Sequence, residues 1–444
     1  MDGCAMSRVL LLDAYGSSSR PCIPPYAYLG AFLSNLGVAH EILVWRGDSR
    51  PLRDRLERGE ITHVFINAIL GRMLLNIKPL VRQIREVSSA RIWLGGHAAR
   101  FIPTVLRGIK GVDHVSCTHP HCNPAGFARE LASRGVLADF TKVERAVAPR
   151  LPHCKHIPDF THEHFLGAGP DRLRALNFAT SSSCINQCSF CYLRRSPRWV
   201  QPLDEVFEDL TYLRDTHDVR YFEFSDDNFA ADRLRVADFC RRAEEYGGGL
   251  AYFCMASVDS LDEPTMDKLV RSGMKRLFIG IDTLHRTTNR YLGKAYDPTQ
   301  AREVLKIVRP YPVDLTLAVV LGSPGETHHE LEETLAFARE VNPEICFASL
   351  LSPYPGTPLF DRLDGESGAA PKTIEDWALW SDHEMPMGIP NTEISGRDYV
   401  QWQRSFCSLG TRAFHSGIGE SVRTSAGLQH RPCTGPQEEA NVDR

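Results

Sequence analysis

The chain has 444 residues, which is long enough for two or three domains and a large buried core. Its 51 lysines and arginines against 55 aspartates and glutamates give a formal net charge of −4, which argues against a nucleic-acid-binding protein that relies on bulk electrostatic attraction. No apolar run approaches the ~18 residues that a membrane span needs, and the amino terminus lacks the basic-then-apolar order of a secretory signal. We therefore expect a cytoplasmic protein that binds neither nucleic acid nor a membrane.

Strand-like and helix-like segments alternate at the start of the chain. Apolar runs without polar alternation predict buried parallel strands at 9–12, 42–45, 64–66 and 92–96, and helical spacing predicts helices at 26–36 and 74–87. This βαβ succession predicts an α/β domain over residues 1–135 with a doubly wound, Rossmann-like sheet. Residues 136–172 are irregular and rich in proline, histidine and charge, which predicts a linker on the surface.

A second strand–helix series occupies residues 173–365. Strands are predicted at 176–180, 221–224, 252–255, 276–281, 315–321 and 345–351, and helices at 202–215, 234–246, 263–272, 298–308 and 329–341. Six parallel strands in succession predict a partial (βα)6 barrel with its polar residues at the carboxyl ends of the strands. Residues 366–444 are predicted to be a C-terminal extension with a disordered tail over 420–444.

Only one group among the thirteen cysteines is dense, namely Cys184, Cys188 and Cys191 in the pattern C-x3-C-x2-C. Most of the others stand singly in apolar stretches, which is typical of reduced thiols and not of a disulfide framework. Soft thiolates on a short loop suit an iron–sulfur cluster, whereas structural zinc needs a fourth ligand at ordinary spacing. Three ligands for a 4Fe-4S cluster leave one iron open for chemistry. The alternative is a chance grouping of buried cysteines.

The cysteine loop follows the first strand of the predicted barrel and has Phe190 before its last cysteine, and in this it resembles the radical S-adenosylmethionine (SAM) superfamily. Segments 224–229, 278–282, 321–327 and 353–359, together with Gly95-Gly96-His97-Ala98, resemble the subgroup with an N-terminal cobalamin-binding-type domain. The resemblance implies that SAM binds the open iron and is cleaved reductively to methionine and a 5′-deoxyadenosyl radical, which takes a hydrogen atom from the substrate. It also implies an electron donor of the flavodoxin or ferredoxin type.

The resemblance further implies which residues contact SAM. Phe190 would lie beside the adenine, and Ser257 and Asp282 would serve the ribose and carboxylate ends. Ser225, Asp226 and Asp227 follow the second barrel strand, where the family binds the cationic amino group, and carboxylates suit that charge. A helix cap or a solvated turn is the alternative for the two aspartates. The subgroup usually has glutamate at position 282, so the shorter aspartate makes the ribose contact an open question.

The predicted N-terminal domain departs from the subgroup after its last strand. Where the subgroup typically has Gly-Glu-Gly-Glu, this chain has a loop with Cys117, His119, His121 and Cys122, which would form either a metal site or, as we favour, a proline-broken polar turn. Bulky side chains at Arg72, Met73 and Leu74 are expected to crowd the face that a corrinoid would occupy. An Asp-x-His-x-x-Gly cobalt-ligand motif is absent from the sequence. We therefore expect a protein that does not need cobalamin, with cobalamin as the alternative.

Two functions remain within this subgroup. The favoured one is radical dehydration of a small natural-product substrate, sugar-like or aminoglycoside-like, in antibiotic biosynthesis; the radical diol dehydratase of apramycin biosynthesis is a lyase of this type and of similar size. The alternative is a cobalamin-dependent methyltransferase of secondary metabolism. A third hypothesis, a non-catalytic iron–sulfur redox protein, is disfavoured because the loops at 322–326 and 353–359 are those of a substrate barrel. The sequence leaves a homodimer open and does not identify the general acid or base.

Overall fold

The computed structural model describes residues 7–14, 24–45, 47–120, 123–137, 167–168, 174–182, 184–195, 199–247, 249–367, 370–380 and 393–410. Most of the predicted linker, His121, Cys122 and the predicted disordered tail lie outside these residues. None of the described helices combines the length and the apolar composition needed to cross a membrane.

The first sheet has five parallel strands in the order β2-β1-β3-β4-β5, a common order of doubly wound folds. Its strands are β1 (Arg8–Asp13), β2 (Ala39–Val44), β3 (His63–Asn67), β4 (Arg91–Gly95) and β5 (His114–Val115). The accompanying helices are α1 (Pro24–Asn35), α2 (Arg50–Glu57), α3 (Ile77–Val87), α4 (His97–Phe101), α5 (Pro103–Arg107) and α6 (Pro124–Ser133), with a 3-10 helix at Arg72–Asn76.

Both faces of this sheet are buried. In β1, Leu10 and Leu12 belong to the core on one face, while Val9 and Leu11 belong to the core on the other. Successive side chains of a strand point to opposite faces, so a strand covered on both sides must be apolar throughout. This explains why the central strands β1, β3 and β4 read as apolar runs, whereas the edge strand β2 contains His40 and Glu41.

The second sheet carries six parallel strands that neighbour one another in sequence order. They are β7 (Arg174–Phe178), β10 (Val219–Phe224), β11 (Ala251–Ala256), β12 (Met274–Asp282), β13 (Asp314–Leu321) and β14 (Ile345–Leu350), with β6 (Gly167–Ala168) antiparallel to β7 at the edge. A separate antiparallel pair is formed by β8 (Ser181–Ser182) and β9 (Trp199–Val200).

The barrel helices lie between the strands in sequence. They are α7 (Leu203–His217), α8 (Arg233–Glu245), α9 (Glu263–Arg271), α10 (Arg286–Leu292), α11 (Pro298–Val308), α12 (His328–Val341) and α13 (Pro358–Ser367), with 3-10 helices at Tyr192–Arg195 and Val258–Ser260. The predicted fold class, an α/β protein with a doubly wound sheet followed by a partial (βα)6 barrel, is confirmed. The small elements β6, β8, β9 and α10 were not predicted, because each is too short to carry a periodic pattern.

The C-terminal extension contributes to both parts of the molecule. Helix α14 (Ile374–Leu379) inserts Trp377 into the core of the first sheet, and Glu375 pairs with Lys78 at 2.6 Å. The indole of Trp380 donates to the carbonyl of Pro353 at 2.7 Å. The extension therefore connects the first sheet to the barrel, which its sequence did not reveal.

Helix α15 (Gly396–Cys407) packs against β14, the last strand of the barrel. Its Tyr399 and Phe406 belong to the barrel core, and Gln403 donates to the carbonyl of Ala348 in β14 at 2.9 Å.

We predict that Trp377→Ala destabilises the protein by about 3–5 kcal/mol, because the buried indole leaves a cavity in the core of the first sheet. Leu379→Ala is the matched control on the same helix, since Leu379 is 47% exposed and its loss should cost less than about 0.5 kcal/mol. Urea unfolding measures both changes. Equal losses in the two variants would show that α14 is not part of this core.

Candidate functional site

The cysteine loop leaves the carboxyl end of β7, at the end of the barrel where such folds carry their sites. Cys188 is buried, and Cys184 and Cys191 are partly exposed. The backbone amide of Asn186 donates to the Sγ of Cys184 at 3.4 Å, a type of contact that also tunes iron–sulfur clusters. The three sulfurs lie close enough to influence one another's charge, so the loop brings the predicted ligands together.

Two of the three thiols resist ionisation because they are buried. Burial raises the pKa of Cys188, and it raises that of Cys191 to about 12, so both remain protonated unless a strongly positive partner binds them. Within the described ranges, no three His, Cys, Asp or Glu side chains converge as ligands of one metal ion. A 4Fe-4S cluster is a different case, because each cysteine ligates a different iron.

Backbone contacts from distant segments hold the loop in place. The amide of Ser189 donates to the carbonyl of Leu292 at 2.8 Å, and its hydroxyl donates to the carbonyl of Tyr291 at 2.9 Å. The amide of Leu359 donates to the carbonyl of Ser189 at 3.0 Å. Gly293 has a φ of 67°, and a Cβ there would lie 3.2 Å from the Ser189 nitrogen, so the close approach favours glycine.

Asp226 is buried at the end of β10, with 1% of its surface exposed. Its carboxylate accepts hydrogen bonds from the amide of Thr180 at 2.6 Å, from the hydroxyl of Thr180 at 2.6 Å and from the hydroxyl of Ser181 at 2.7 Å. Burial raises the pKa of Asp226, although these hydrogen bonds act in the opposite direction. The contacts support a role in fixing the segment that leads into the cysteine loop.

Asp227 has a different environment. It is partly exposed, and its charge acts on both Cys191 and Tyr192. Ser225 is also partly exposed, and its amide donates to the carbonyl of Phe178 at 3.0 Å. Of the two aspartates, Asp227 is therefore the one beside the cysteine loop, and its contact with the amino group of SAM stays a prediction.

Ser257 belongs to a polar network that the sequence did not indicate. The side-chain amide of Asn228 donates to the hydroxyls of Ser257 at 2.7 Å and Ser260 at 3.1 Å, and the two hydroxyls lie 2.8 Å apart. Phe190 packs instead against a small apolar cluster that includes Leu292. Their predicted contacts with ribose and adenine remain predictions.

Asp282, at the end of β12, forms a buried ion pair with Lys294. Lys294 was missed in the sequence analysis, because a single lysine in a loop gives no periodic or spacing signal. Burial acts to lower the pKa of Lys294, but the combined effects of Asp282, Tyr296 and Cys188 outweigh it, and the pKa lies well above its ordinary value. The predicted SAM ligand Asp282 thus has a cationic partner beside the cysteine loop.

Glu326 anchors the 322–326 loop after β13. Its carboxylate is 1% exposed, accepts the amide of Gly322 at 2.8 Å and is hydrogen-bonded to Tyr399 of α15. Burial raises the pKa of Glu326 to about 7, and the neighbouring charge of Glu330 adds to this effect. The carboxyl group links a site loop to the C-terminal helix.

The carboxyl edge of the first sheet faces the cysteine loop. The ring of His97, directly after β4, lies 5.2 Å from the ring of Tyr192, which follows Cys191 in the chain. Phe101 and Tyr354 contact the same tyrosine, with ring centroids at 5.5 Å and 5.9 Å. The site at the end of the first sheet and the predicted cluster site are therefore adjacent.

His97 and His119 lie near each other at the carboxyl edge of the first sheet. Both are open to solvent, yet surrounding protein lowers the pKa of both imidazoles by desolvation, that of His119 to about 4. The charge of Arg100 lowers both further. We name the neighbourhood of Gly96, His97, Arg100, His119 and Tyr192 the sheet-edge cleft.

Comparison with known families identifies the central part of the chain. Residues 179–338 match the family model described as the Radical SAM superfamily. The chain therefore carries a radical SAM domain, and this superfamily uses a 4Fe-4S cluster and SAM as cofactors. The resemblance to the radical SAM superfamily, inferred from the cysteine loop, is confirmed.

Relatives of known name match only part of the chain. An uncharacterised methyltransferase of Pyrococcus horikoshii is 25% identical over 185 residues, which cover 41% of this chain and 40% of that protein. The hopanoid C-2 methylase of Rhodopseudomonas palustris is 26% identical over 196 residues, which cover 42% of this chain and 37% of that protein. The match thus spans less than half the length of either relative.

Solved structures match over more of the chain. The methyltransferase TsrM from Kitasatospora setae, with cobalamin and a 4Fe-4S cluster bound, has a TM-score of 0.64 and 16% identity, over 90% of this chain and 85% of that one. The cobalamin-dependent enzyme OxsB, with aqua-cobalamin and SAM bound, has a TM-score of 0.57 and 16% identity, over 76% of this chain and 52% of that one. These similarities establish the fold.

We predict that Cys188→Ala, or alanine at positions 184 or 191, abolishes the cluster after anaerobic reconstitution, because the loop then lacks one of its three thiolate ligands. Iron and sulfide content and the visible absorbance measure the effect. Cys254→Ala, a buried cysteine of the barrel core, is the control and should keep full iron. Retention of the cluster in the triple alanine variant would contradict the assignment.

We predict that ionisation of the Glu326 carboxyl group lowers the free energy of unfolding as the pH rises. Its pKa is about 7 when folded against an ordinary 4.5, so the folded state holds the proton more tightly, and stability falls between these values by on the order of 3 kcal/mol. Glu326→Gln removes this penalty. Unfolding midpoints of the two proteins should therefore diverge between about pH 5 and about pH 8, with the variant more stable at the higher pH. A constant difference across this range would contradict the prediction.

Proposed function

We propose that the chain is a cobalamin-dependent radical SAM methyltransferase that acts on a small-molecule substrate and takes electrons from a separate donor. The relatives named above are a methyltransferase and a methylase. Of the two solved structures, TsrM is a methyltransferase with cobalamin bound, and OxsB is a cobalamin-dependent enzyme. The names of the two relatives favour methyl transfer, the alternative of the sequence analysis, and give no support to dehydration.

The observation that carries the proposal is the adjacency of the sheet-edge cleft and the cysteine loop. In open α/β sheets, ligands bind beyond the carboxyl ends of the strands. Here that edge faces the barrel loop in which the predicted cluster lies, with His97 and Tyr192 in ring contact. A cofactor in the cleft would therefore lie next to the SAM site.

The residues of the cleft fit a large planar cofactor. Gly96 has a φ of 89°, and a Cβ at that position would lie 2.0 Å from the Asn67 side chain. The position therefore favours glycine, and no side chain there keeps a ligand away from the backbone. His97 and His119 hold neutral imidazoles at neutral pH because their pKa values are lowered by desolvation. Neutral rings can contact a corrinoid without the cost of burying a charge.

The crowding expected from residues 72–74 is wrong for Leu74. This side chain is fully buried in the core of the first sheet, on the face that α14 covers. In the loop after β5, the thiol of Cys117 donates to the carbonyl of Ala99 at 3.1 Å. The sequence could not show these directions, because side-chain orientation depends on tertiary packing.

When bound, cobalamin supplies a carrier for the methyl group of SAM, and the cluster supplies the electron for reductive chemistry. The protein's part is to orient and enclose these groups. Tyr192 and Tyr354 are in contact at the boundary between the cleft and the barrel. The buried Asp226 fixes the strand end that leads to the predicted cluster site. Enclosure of this kind keeps water from competing with the reaction.

We predict that protein purified anaerobically from a cobalamin-fed host retains about one corrinoid per chain through gel filtration. With SAM, dithionite and hydroxocobalamin it should release S-adenosylhomocysteine, because SAM that has lost its methyl group leaves as this product. Mass spectrometry with methyl-deuterated SAM measures the transfer of the labelled methyl group to the corrinoid. The triple alanine variant of Cys184, Cys188 and Cys191 separates corrinoid binding from cluster chemistry.

Two results would overturn the proposal. One is a fully clustered protein that binds no corrinoid. The other is turnover of SAM to 5′-deoxyadenosine and methionine alone, unaffected by cobalamin, which would restore the dehydratase.

A further inference from the structure

The ion pair of Asp282 and Lys294 is unusual in its burial. The two side chains are 10% and 8% exposed, at the carboxyl end of β12. Burying two charges is costly, and paired charges are kept in such places when geometry holds them. The pair is therefore a built feature of the barrel end.

The backbone of Asp282 is held in an uncommon conformation. Its φ of 54° lies in the left-handed region, which non-glycine residues rarely adopt, and the pairing of β12 with β13 shifts register between Gly280 and Asp282. The amide of Thr283 donates to the carbonyl of Ile281 at 2.6 Å across this residue. Such strain persists where the surrounding structure fixes it and is found at functional sites.

Lys294 is held equally firmly. Its amide donates to the carbonyl of Asn289 at 3.2 Å, and its ammonium group lies 5.1 Å from the centre of the Tyr296 ring. The hydroxyl of Tyr296 in turn donates to the carbonyl of Gly280 at 2.7 Å. The lysine and the aspartate are thus fixed to the same strand end.

The segment just before Lys294 also forms hydrogen bonds with the cysteine loop. Leu292 and Tyr291, just before Gly293 and Lys294, accept the amide and hydroxyl of Ser189, the residue after Cys188. Both charges act on the Cys188 sulfur with opposite signs, Lys294 favouring a thiolate and Asp282 opposing it. The pair is therefore electrostatically coupled to a predicted cluster ligand.

We infer that Lys294 and Asp282 are positioning residues that act in opposite directions on the reduction potential of the cluster bound at Cys184, Cys188 and Cys191, so that each charge offsets the effect of the other. Reduction adds one electron from an external low-potential reductant to the oxidised cluster, so the charge at the site becomes more negative by one. Net charge near a cluster is one of the factors that set its potential. The ammonium stabilises the reduced state, the carboxylate disfavours it, and the pair holds the two effects in balance.

The test is a redox titration of the reconstituted protein, monitored by the electron paramagnetic resonance signal of the reduced cluster, with dithionite as reductant. Asp282→Asn leaves the lysine unbalanced, so the potential should shift to a more positive value. Lys294→Met leaves the carboxylate unbalanced, so it should shift to a more negative value. The double variant should return close to the wild-type potential.

Matched variants separate charge from structure. Lys294→Arg keeps the charge and should keep the potential, and Lys294→Gln, which still donates to Asp282, replaces Lys294→Met if the latter assembles no cluster. Glu344→Gln removes another buried carboxylate, which pairs with Arg309 at 3.3 Å at the amino end of β13, and should leave the potential unchanged.

The inference rests on the cluster assignment and not on cobalamin binding. Full iron content and the reduced signal establish the cluster in each variant before its potential is compared. Shifts in the same direction for Asp282→Asn and Lys294→Met, or unshifted potentials in both, would overturn the inference while the methyltransferase proposal stands.

Discussion

The cysteine loop contains little regular structure, so its shape depends on hydrogen bonds from segments far away in the sequence. Ser189 is bound on one side by the end of α10 and on the other by the start of α13. Asp226 holds the strand end before the loop from the neighbouring strand. Because an iron–sulfur cluster requires its ligands at fixed positions, these contacts determine whether the loop can accept one. The chemistry of the domain depends on them.

The relation between the two sheets follows from a second set of contacts. Tyr192, next to a predicted cluster ligand, packs against Phe101 of the first part of the chain and Tyr354 of the barrel. Helix α14 then ties the core of the first sheet to the loop that carries Pro353. Aromatic side chains bury large areas with little loss of conformational freedom, which suits a fixed junction. The C-terminal segment is thus part of what aligns the cleft with the cluster site.

Charge around the predicted cluster is placed in compensated form. Asp226 has its carboxylate satisfied by hydrogen bonds, Asp282 is balanced by Lys294, and Asp227 remains partly open to solvent. A buried unpaired charge would be costly in this environment and would also bias the thiolates. The arrangement leaves the site able to bind a charged cluster and a charged cofactor without a large internal imbalance.

The sequence by itself determined the two α/β units and the three-cysteine motif. Strands such as β1 are buried on both faces and read as apolar runs, and helices such as α11 begin and end where their pattern does, so local periodicity carries that information. The spacing of Cys184, Cys188 and Cys191 likewise lies within one short segment. The tertiary structure alone decided the partner of Asp282, the buried setting of Asp226 and the open face beside His97. Each of these depends on contacts between residues that are distant in the chain, and such contacts leave no pattern in the local sequence.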